Sequence, residues 1–497
     1  MKRFLALILC VTAMITLFPL GVIASGGVCY IQSDADVFYD TVADAVAAAS
    51  DGDIIVMTAN SVEKAQINLK TKSITIEGNG FTIDSASKLS DSKYQFYNSE
   101  SDGTQTFTVK NAVLKNKRGF WFYPWVLNIE NCTVVTEKGY ALDYQPAKNE
   151  KDASHSINIK DTRWTVNENG GTYTFALMGD NNIYSCGVLN ITNSEINFYG
   201  GSEGETNGCM FDCYTLGDMT VNILGDSKLR LLGEYGRSFF SIRSDARYVI
   251  NLAEGVEMIF ASQCKTQAFM TNDGVTVNDN GAVWKNESDA AASITFPTLT
   301  REGKELIGWR VGDKVYHKNA EVGEFSEFYP IFFSSDEFAL AYGASLRTVT
   351  GEFGLRFATN VSDALYESLG KSASYKTYLV PLTEGETDPM GETVKEKLDF
   401  EHEVFATGFY DGCTTMYSAV IMRPAWVDEE KIFSLSLSAY SEMTVTYADG
   451  GETVLYTEFD LTDNTRSMSQ VAYYLEEQGM GNSVSSYILS VCPYIVD

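Results

Sequence analysis

A three-residue pattern recurs along the first half of the chain and constrains its fold more than any other feature. An apolar, a polar and a second apolar residue are usually followed within a few positions by Asn or Asp, as in Leu189-Asn190-Ile191 before Asn193. The polar middle residues lie at positions 108, 128, 158, 190, 222, 251 and 276, and four of the six steps are close to 30 residues. A strand-rich repeat of this length is typical of a solenoid.

Each triplet predicts a short strand with one face turned inward, because side chains alternate along a strand. The Asn or Asp that follows tolerates a left-handed backbone and turns the chain into the next strand. One coil should therefore contain about three short strands, and successive coils should stack about 4.8 Å apart. An antiparallel sandwich with similar hairpins is the alternative that the pattern leaves open.

The segment before the repeat carries a short helix pattern. Its apolar residues have helical spacing, Asp40 or Thr41 can cap its start, and Gly52 can end it. The apolar positions are Val42, Ala45, Val46 and Ala49. The segment "INLKTKSITIEGNGFTIDS" then continues as strands. Residues 30 to 288 thus resemble the right-handed parallel β-helices of the pectate-lyase-like superfamily, in which a short helix covers the open end of the coil.

The segment 291–334 differs from the repeat and carries Phe296-Pro297 and Gly308-Trp309. It resembles the Listeria–Bacteroides repeat, although Lys304 stands where that family usually has Tyr. The resemblance implies a small β-grasp-like module that acts as a spacer or contact unit.

Residues 335–497 predict a β-rich, sandwich-like domain with one or two helices. We expect a helix from Ser362, a hairpin at Asp449-Gly450 and a helix that ends at Gly479. Three arginine-containing motifs resemble an uncharacterised C-terminal domain of secreted proteins from gut Gram-positive bacteria. These motifs are Gly343-Ala-Ser-Leu-Arg347, Gly354-Leu-Arg-Phe357 and Arg466-Ser467. The arginines could bind an anionic sugar, but pairing of each with a carboxylate is the interpretation that we favour.

Residues 1–24 have the charged start, apolar run and small residues of a secretory signal peptide, which leaves 25–290 for the coil. An uncleaved membrane anchor is the alternative. We therefore expect a secreted, extracellular or loosely surface-associated protein with no membrane span in the mature chain. The formal charge of −29 argues against nucleic acid as a partner, because binding phosphates requires a basic face.

No catalytic motif accompanies the coil. The chain has three histidines, and none lies in the Gly-His-Gly motif of β-helix hydrolases. Four aspartates lie 22 or 23 residues after the middle Asn of their coil, and they would form one column if the loops matched: Asp180, Asp212, Asp245 and Asp273. Such a carboxylate column suits calcium, and ordinary turn chemistry is the alternative. The sequence predicts no other cofactor.

Trp121, Tyr123 and Trp125 alternate, so they would face one side of an extended segment and could stack on sugar rings. Burial in a core layer is the alternative. Trp164 is a weaker candidate of the same kind.

We therefore expect a non-catalytic protein that binds polysaccharides, other glycans or a cell-surface protein through its β-helix. A polysaccharide lyase or glycoside hydrolase with a divergent site on the coil is the alternative. A purely structural surface component is the third class.

Overall fold

The structure is a computed structural model, and strands and helices are numbered here in chain order. It describes residues 26–98, 105–122, 126–144, 155–166, 175–177, 187–200, 208–213, 217–235, 237–242, 246–263, 265–270, 275–287, 293–323, 327–349, 352–381, 402–403, 412–421, 429–458 and 464–496. The predicted signal peptide lies outside these residues. No helix among them has both the length and the apolar character needed to cross a membrane.

The N-terminal end of the coil is covered by a small cap. Strand β1 (Cys29–Ile31) pairs antiparallel with β2 (Asp34–Tyr39), and helix α1 (Val42–Ala48) follows. The Thr41 side chain accepts a hydrogen bond from Asp44 N, which confirms the predicted cap. Buried Glu63 accepts hydrogen bonds from Val42 N at 3.0 Å and Ala43 N at 3.1 Å. The helix therefore begins with its free backbone N–H groups satisfied.

The coil is built from three parallel sheets that the chain visits in the order A, B, C. This is the predicted parallel β-solenoid, and the antiparallel sandwich is excluded because neighbouring strands of each sheet run parallel. The parallel strands of sheet A are β3 (Ile54–Met57), β6 (Ile74–Glu77), β9 (Thr106–Lys110), β12 (Val126–Glu130), β15 (His155–Lys160), β18 (Gly187–Thr192), β21 (Gly217–Leu224), β24 (Ala246–Leu252) and β28 (Val275–Asp279).

Sheets B and C complete each coil. The parallel strands of sheet B are β4 (Ser61–Val62), β7 (Thr82–Asp84), β10 (Val113–Asn116), β13 (Thr133–Thr136), β16 (Arg163–Val166), β19 (Glu195–Gly200), β22 (Lys228–Tyr235), β25 (Glu257–Ser262) and β29 (Val283–Asn286). Those of sheet C are β5 (Ile67–Asn68), β8 (Tyr94–Tyr97), β11 (Arg118–Phe122), β14 (Leu142–Tyr144), β17 (Phe175–Leu177), β20 (Cys209–Cys213), β23 (Ser238–Ile242) and β27 (Phe269–Met270).

The recurring triplet forms sheet A. Leu189 and Ile191 are fully buried, whereas Asn190 lies on the outer side and pairs in register with Asn158 and Asn222. Each amide donates to the carbonyl oxygen of the preceding one at 2.7–2.9 Å. We call this row the Asn ladder, and it consists of Asn128, Asn158, Asn190, Asn222, Asn251 and Asn278. The ladder joins successive coils outside the core.

The predicted turn residues lie between sheets A and B. Asn111, Asn131, Asp161 and Asn193 have φ between 48° and 55°, the left-handed region that Asn and Asp tolerate. In the next coil Gly225 takes this role, and a Cβ there would lie 2.0 Å from Asn193 Oδ1. The turn is therefore tight because adjacent coils approach closely at this corner.

Aromatic rings fill the core beneath sheet C. Phe175, Phe211 and Phe240 pair in register, and the ring centroids of successive members are 5.2 and 4.9 Å apart. All three are fully buried. Because no single coil covers its own inner face, this stacking supplies the core.

The predicted module at 291–334 packs onto the last coil. Antiparallel β34 (Glu327–Phe333) extends sheet B by pairing with β29, followed by β31 (Glu305–Val311) and β32 (Lys314–Tyr316). A small sheet joins β26 (Thr266–Gln267), β30 (Ile294–Thr295) and β33 (Glu321–Val322). Buried Trp309 and Phe328 contact Trp284, so the core of the coil continues into the module.

Among the residues described after position 334, two sheets and four helices are present. One sheet contains β35 (Phe338–Leu340), β36 (Ser345–Val349), β37 (Glu352–Ser362), β39 (His402–Glu403) and β40 (Cys413–Ile421). The other contains β38 (Ala373–Pro381), β41 (Leu437–Thr446) and β42 (Glu452–Tyr456). The helices are α2 (Asp363–Leu369), α3 (Glu429–Ser434), α4 (Met468–Glu477) and α5 (Ser483–Val491), and two 3₁₀ turns span Ser335–Glu337 and Gly370–Ser372.

Three local predictions for this region are confirmed. Ser362 caps α2, Gly450 lies in the turn between β41 and β42, and Gly479 takes φ +71° just after α4. Buried Ile307 and Ile331 of the module pack into the same core as Val361, so the module contacts this region as well as the coil.

Candidate functional site

The outer side of sheet C carries aromatic and charged side chains at one place along the coil. Leu142 is fully buried, so the neighbouring Asp143 points away from the core. The register then aligns Asp143 with one column of positions on successive strands: Tyr97, Trp121, Asp143, Ala176, Asp212 and Ser241. An extended ligand that lies along the coil axis would meet the half-buried members of this column, which are Tyr97, Trp121, Asp212 and Ser241.

Aromatic rings gather at the first two positions of this column. The Trp121 and Tyr97 ring centroids are 4.6 Å apart with planes 30° from parallel, and both side chains are half-buried. Tyr94 is buried, and its ring lies 6.1 Å from that of Trp121 at 22°. Offset stacking of this kind stabilises the rings and fixes their orientation.

A carboxylate and a guanidinium adjoin the rings. Tyr94 Oη donates a 2.6 Å hydrogen bond to Asp143 Oδ2, and Asp143 is only 5% exposed. The Arg118 guanidinium carbon lies 5.4 Å from the Tyr94 ring centroid and 5.6 Å from that of Tyr140. Burial, followed by the negative charge of Asp143, raises the pKa of Tyr94 far above its usual range, so Tyr94 remains a hydrogen-bond donor at neutral pH. We call Tyr94, Tyr97, Arg118, Trp121 and Asp143 the aromatic face.

Two glycines bring the strands of the aromatic face together. A Cβ on Gly119 would lie 2.2 Å from Ala141 O, so only glycine allows β11 and β14 to approach this closely. Gly139 has φ +75°, and a Cβ there would lie 2.9 Å from Arg118 Nε. Gly139 therefore leaves space for the Arg118 side chain beside the two tyrosine rings.

The predicted sugar-stacking residues are only partly described. Trp121 lies on the aromatic face, whereas Tyr123 and Trp125 lie outside the described residues. The role of this triplet in binding stays a prediction. Trp164 is fully buried, and its Nε1 donates to Thr136 Oγ1, so its assignment to a sugar-binding surface is wrong. Trp164 packs against Phe120 and Phe175 in the core instead.

The predicted calcium column is represented by one residue. Asp212 lies on β20, half-buried, with Ala176 and Ser241 as its register partners in the neighbouring coils. Asp180, Asp245 and Asp273 lie outside the described residues, so calcium binding stays a prediction. Within the described part of the chain, no group of three or more His, Cys, Asp or Glu side chains is arranged to hold a metal ion.

Sequence reasoning missed Tyr94, Arg118 and Asp143. Asp143 lies 49 residues after Tyr94, and only the stacking of three coils brings the two together. The available signal was the local pattern of alternation in "YQFY", "RGFWF" and "LDY", once these segments were aligned as neighbouring strands.

Comparisons with known proteins do not assign this chain to a family. A scan against protein-family models and searches of curated proteins and solved structures found no match. The resemblances to the pectate-lyase-like superfamily, to the Listeria–Bacteroides repeat and to the C-terminal domain of gut bacterial proteins therefore stay predictions.

Proposed function

We propose that this protein is a secreted or cell-surface protein that binds a glycan through the aromatic face of its β-helix, without cleaving it. The observation that carries the proposal is the stacked Trp121–Tyr97 pair beside Asp143 and Arg118 on the outside of the coil. The coil is proposed to be a divergent member of the pectate-lyase-like superfamily.

The chemistry of the aromatic face suits a sugar. Aromatic rings pack against the C–H groups of a pyranose, while a carboxylate accepts hydrogen bonds from its hydroxyl groups and a guanidinium donates to its oxygens. The formal charge of −29 disfavours a polyanionic glycan at long range. We therefore expect a neutral polysaccharide at this site.

A glycan array followed by calorimetric titration tests the proposal. Trp121→Ala should weaken binding about tenfold or more, since a central aromatic anchor typically contributes on the order of 1.4 kcal/mol or more. Asp143→Asn should weaken it as well, because the amide has one acceptor oxygen instead of two. Tyr329→Ala is the matched control, because Tyr329 is an exposed aromatic residue on β34, away from the aromatic face.

Unchanged affinity in both test variants would contradict the role of the aromatic face. Binding to no glycan at all, with a cell-surface protein captured instead or with no ligand found, would favour the protein-binding or purely structural class.

Hydrolysis is the second candidate, and one geometric feature favours it. Asp143 and Asp212 lie two strands apart in the same register column, so their Cα atoms are about 9.6 Å apart at the usual strand spacing. Side chains that lean toward each other would bring the two carboxyl groups within the roughly 6.5 to 9.5 Å that inverting glycosidases use to hold a water molecule.

A reducing-end assay on the neutral glycan selected by the array, run beside pectin, alginate and mucin glycans, separates the two candidates. A binding protein releases no product. Product release that is lost in both Asp143→Asn and Asp212→Asn would replace the binding proposal with an inverting hydrolase. An unsaturated product would instead indicate a lyase.

A further inference from the structure

A separate cavity lies in the C-terminal region, far along the chain from the aromatic face. It is a surface cavity of about 580 Å³ between the loop at Tyr342 and helix α4. Its polar lining includes Arg466, Gln470, Tyr474 and Gln478. A volume of this size accommodates one or two sugar rings.

Arg466 is held firmly at the wall of this cavity. Its backbone N–H donates to the Leu437 carbonyl oxygen at 2.8 Å, and its own carbonyl oxygen accepts from Leu437 N at 2.9 Å. Its Nη1 donates to Thr465 O at 2.7 Å, and the guanidinium carbon lies 5.1 Å from the centroid of the Tyr342 ring. Gly343 has φ +76°, and a Cβ there would lie 3.7 Å from two guanidinium nitrogens. The cavity therefore has a positioned cation beside an aromatic ring.

A second cavity adjoins the first and has the opposite charge. It encloses about 350 Å³, and Tyr342 lines both cavities while being 76% exposed. Asp336 and Glu458 line the second cavity. A hydrogen bond from Ser334 lowers the pKa of Asp336, so this residue is a carboxylate at neutral pH. A ligand that spans both cavities would place an anionic group beside Arg466 and hydroxyl groups beside the acids.

We infer that these joined cavities bind the end of a glycan that carries a single carboxylated sugar. The guanidinium pairs with the sugar carboxylate, the exposed Tyr342 ring packs against a sugar face, and the Gln470 and Gln478 amides bond hydroxyl groups. A polyanion fits poorly because Asp336 and Glu458 repel further negative charge. This site is independent of the aromatic face and of the function proposed for it.

Calorimetric titration of the full chain with 3′-sialyllactose and with lactose tests the inference. The two probes differ in the sialic acid residue, which carries the only carboxylate. We expect one equivalent of 3′-sialyllactose to bind at least tenfold more tightly than lactose, because a charge-assisted hydrogen bond is stronger than a neutral one. Affinity should fall as salt is raised, since the paired charges are partly screened.

Three variants assign the binding to this cavity. Arg466→Gln and Tyr342→Ala should each weaken 3′-sialyllactose binding about tenfold or more, and Arg466→Lys should restore part of the loss. Tyr329→Ala is the matched control and should leave this binding unchanged, because this exposed residue lies on β34, outside both proposed sites. Tyr342→Ala removes a side chain that is largely exposed, so the variant should remain folded.

Three outcomes would overturn the inference. They are equal affinity for lactose, unchanged binding in both Arg466→Gln and Tyr342→Ala, and equally tight Arg466-dependent binding of trialanine, whose free carboxylate would mark a peptide-binding site. A loss of neutral-glycan binding in Trp121→Ala, with 3′-sialyllactose binding intact, would bear only on the aromatic face.

Discussion

The Asn ladder allows the contribution of coil stacking to be measured one hydrogen bond at a time. Asn190 donates to Asn158 at 2.8 Å and accepts from Asn222 at 2.9 Å, so Asn190→Ala breaks two ladder bonds. Because the amides are only partly buried, the groups left behind can bond water, and each lost bond costs about 1 kcal/mol. We expect Asn190→Ala to lower the free energy of unfolding by about 2 kcal/mol.

A double variant isolates one bond. Asn222→Ala also breaks two bonds, but the Asn190–Asn222 bond is common to both single variants. The double variant therefore loses three bonds rather than four, and it should cost about 1 kcal/mol less than the sum of the single variants. Asn128→Ala combined with Asn222→Ala is the matched control, because these two residues share no bond and their effects should add within roughly 0.5 kcal/mol.

Guanidinium unfolding, followed by circular dichroism and by intrinsic fluorescence, provides the free energies. The comparison holds where both probes agree and the slope of the transition is unchanged, because long repeats can unfold in parts. Additive costs for Asn190 and Asn222, equal to those of the distant pair, would refute the ladder as a source of coupling between coils.

Four further predictions concern the aromatic core, the buried Glu63 of the cap, two buried cysteines and calcium binding. Phe211→Ala should lower the free energy of unfolding by about 3–5 kcal/mol, because it removes a fully buried ring from the aromatic stack; a loss below about 1 kcal/mol would contradict that packing. Burial raises the pKa of Glu63 above its usual value, so the folded chain keeps this proton where the unfolded chain has released it, and the resulting stability is lost as the pH rises through the raised pKa. The wild type should therefore gain stability relative to Glu63→Gln as the pH falls from neutral toward the ordinary pKa of a glutamic acid, whereas parallel pH profiles would exclude this linkage. Burial also raises the pKa of Cys29 to about 12 and that of Cys132 to about 11. Iodoacetamide at about pH 8 should therefore label both thiols only after the chain unfolds. Equal labelling of the native chain, measured by mass spectrometry, would show that the two thiols are accessible. Calorimetric titration tests the calcium hypothesis: heat that Asp212→Asn diminishes would support it, and a flat titration of the wild type would end it.

The coil could be predicted because its determinants are local. Each triplet sets one inward face, and Asn131 or Asn193 specifies the turn that follows it, so a single coil contains most of the information for its own shape. The ladder follows directly, because in-register stacking places identical residues on neighbouring strands.

The alignment of sheet C could not be predicted in the same way. Asp212 lies 22 residues after its ladder Asn, but its register partners Ala176 and Ser241 lie 18 and 19 residues after theirs. The connections between sheets differ in length from coil to coil, so counting from sheet A does not give the register of sheet C. The aromatic face depends on that register, which is why Asp143 was missed.

The surroundings of the module were also beyond the sequence. Its strands could be anticipated, but the sequence does not show that Trp309 packs against Trp284 while Ile307 faces the opposite side. Ile307 and Trp309 would share one face of a regular strand, but the register of β31 against β34 shifts between Leu306 and Gly308, and this irregularity turns the two side chains to opposite sides.

A crystal structure of the full chain with a neutral oligosaccharide selected on the array tests the central functional claim most directly. We expect a sugar ring packed against the Trp121–Tyr97 pair, with a hydroxyl group within hydrogen-bond distance of Asp143 or Arg118. A sugar bound elsewhere on the coil, with the aromatic face untouched, would contradict it.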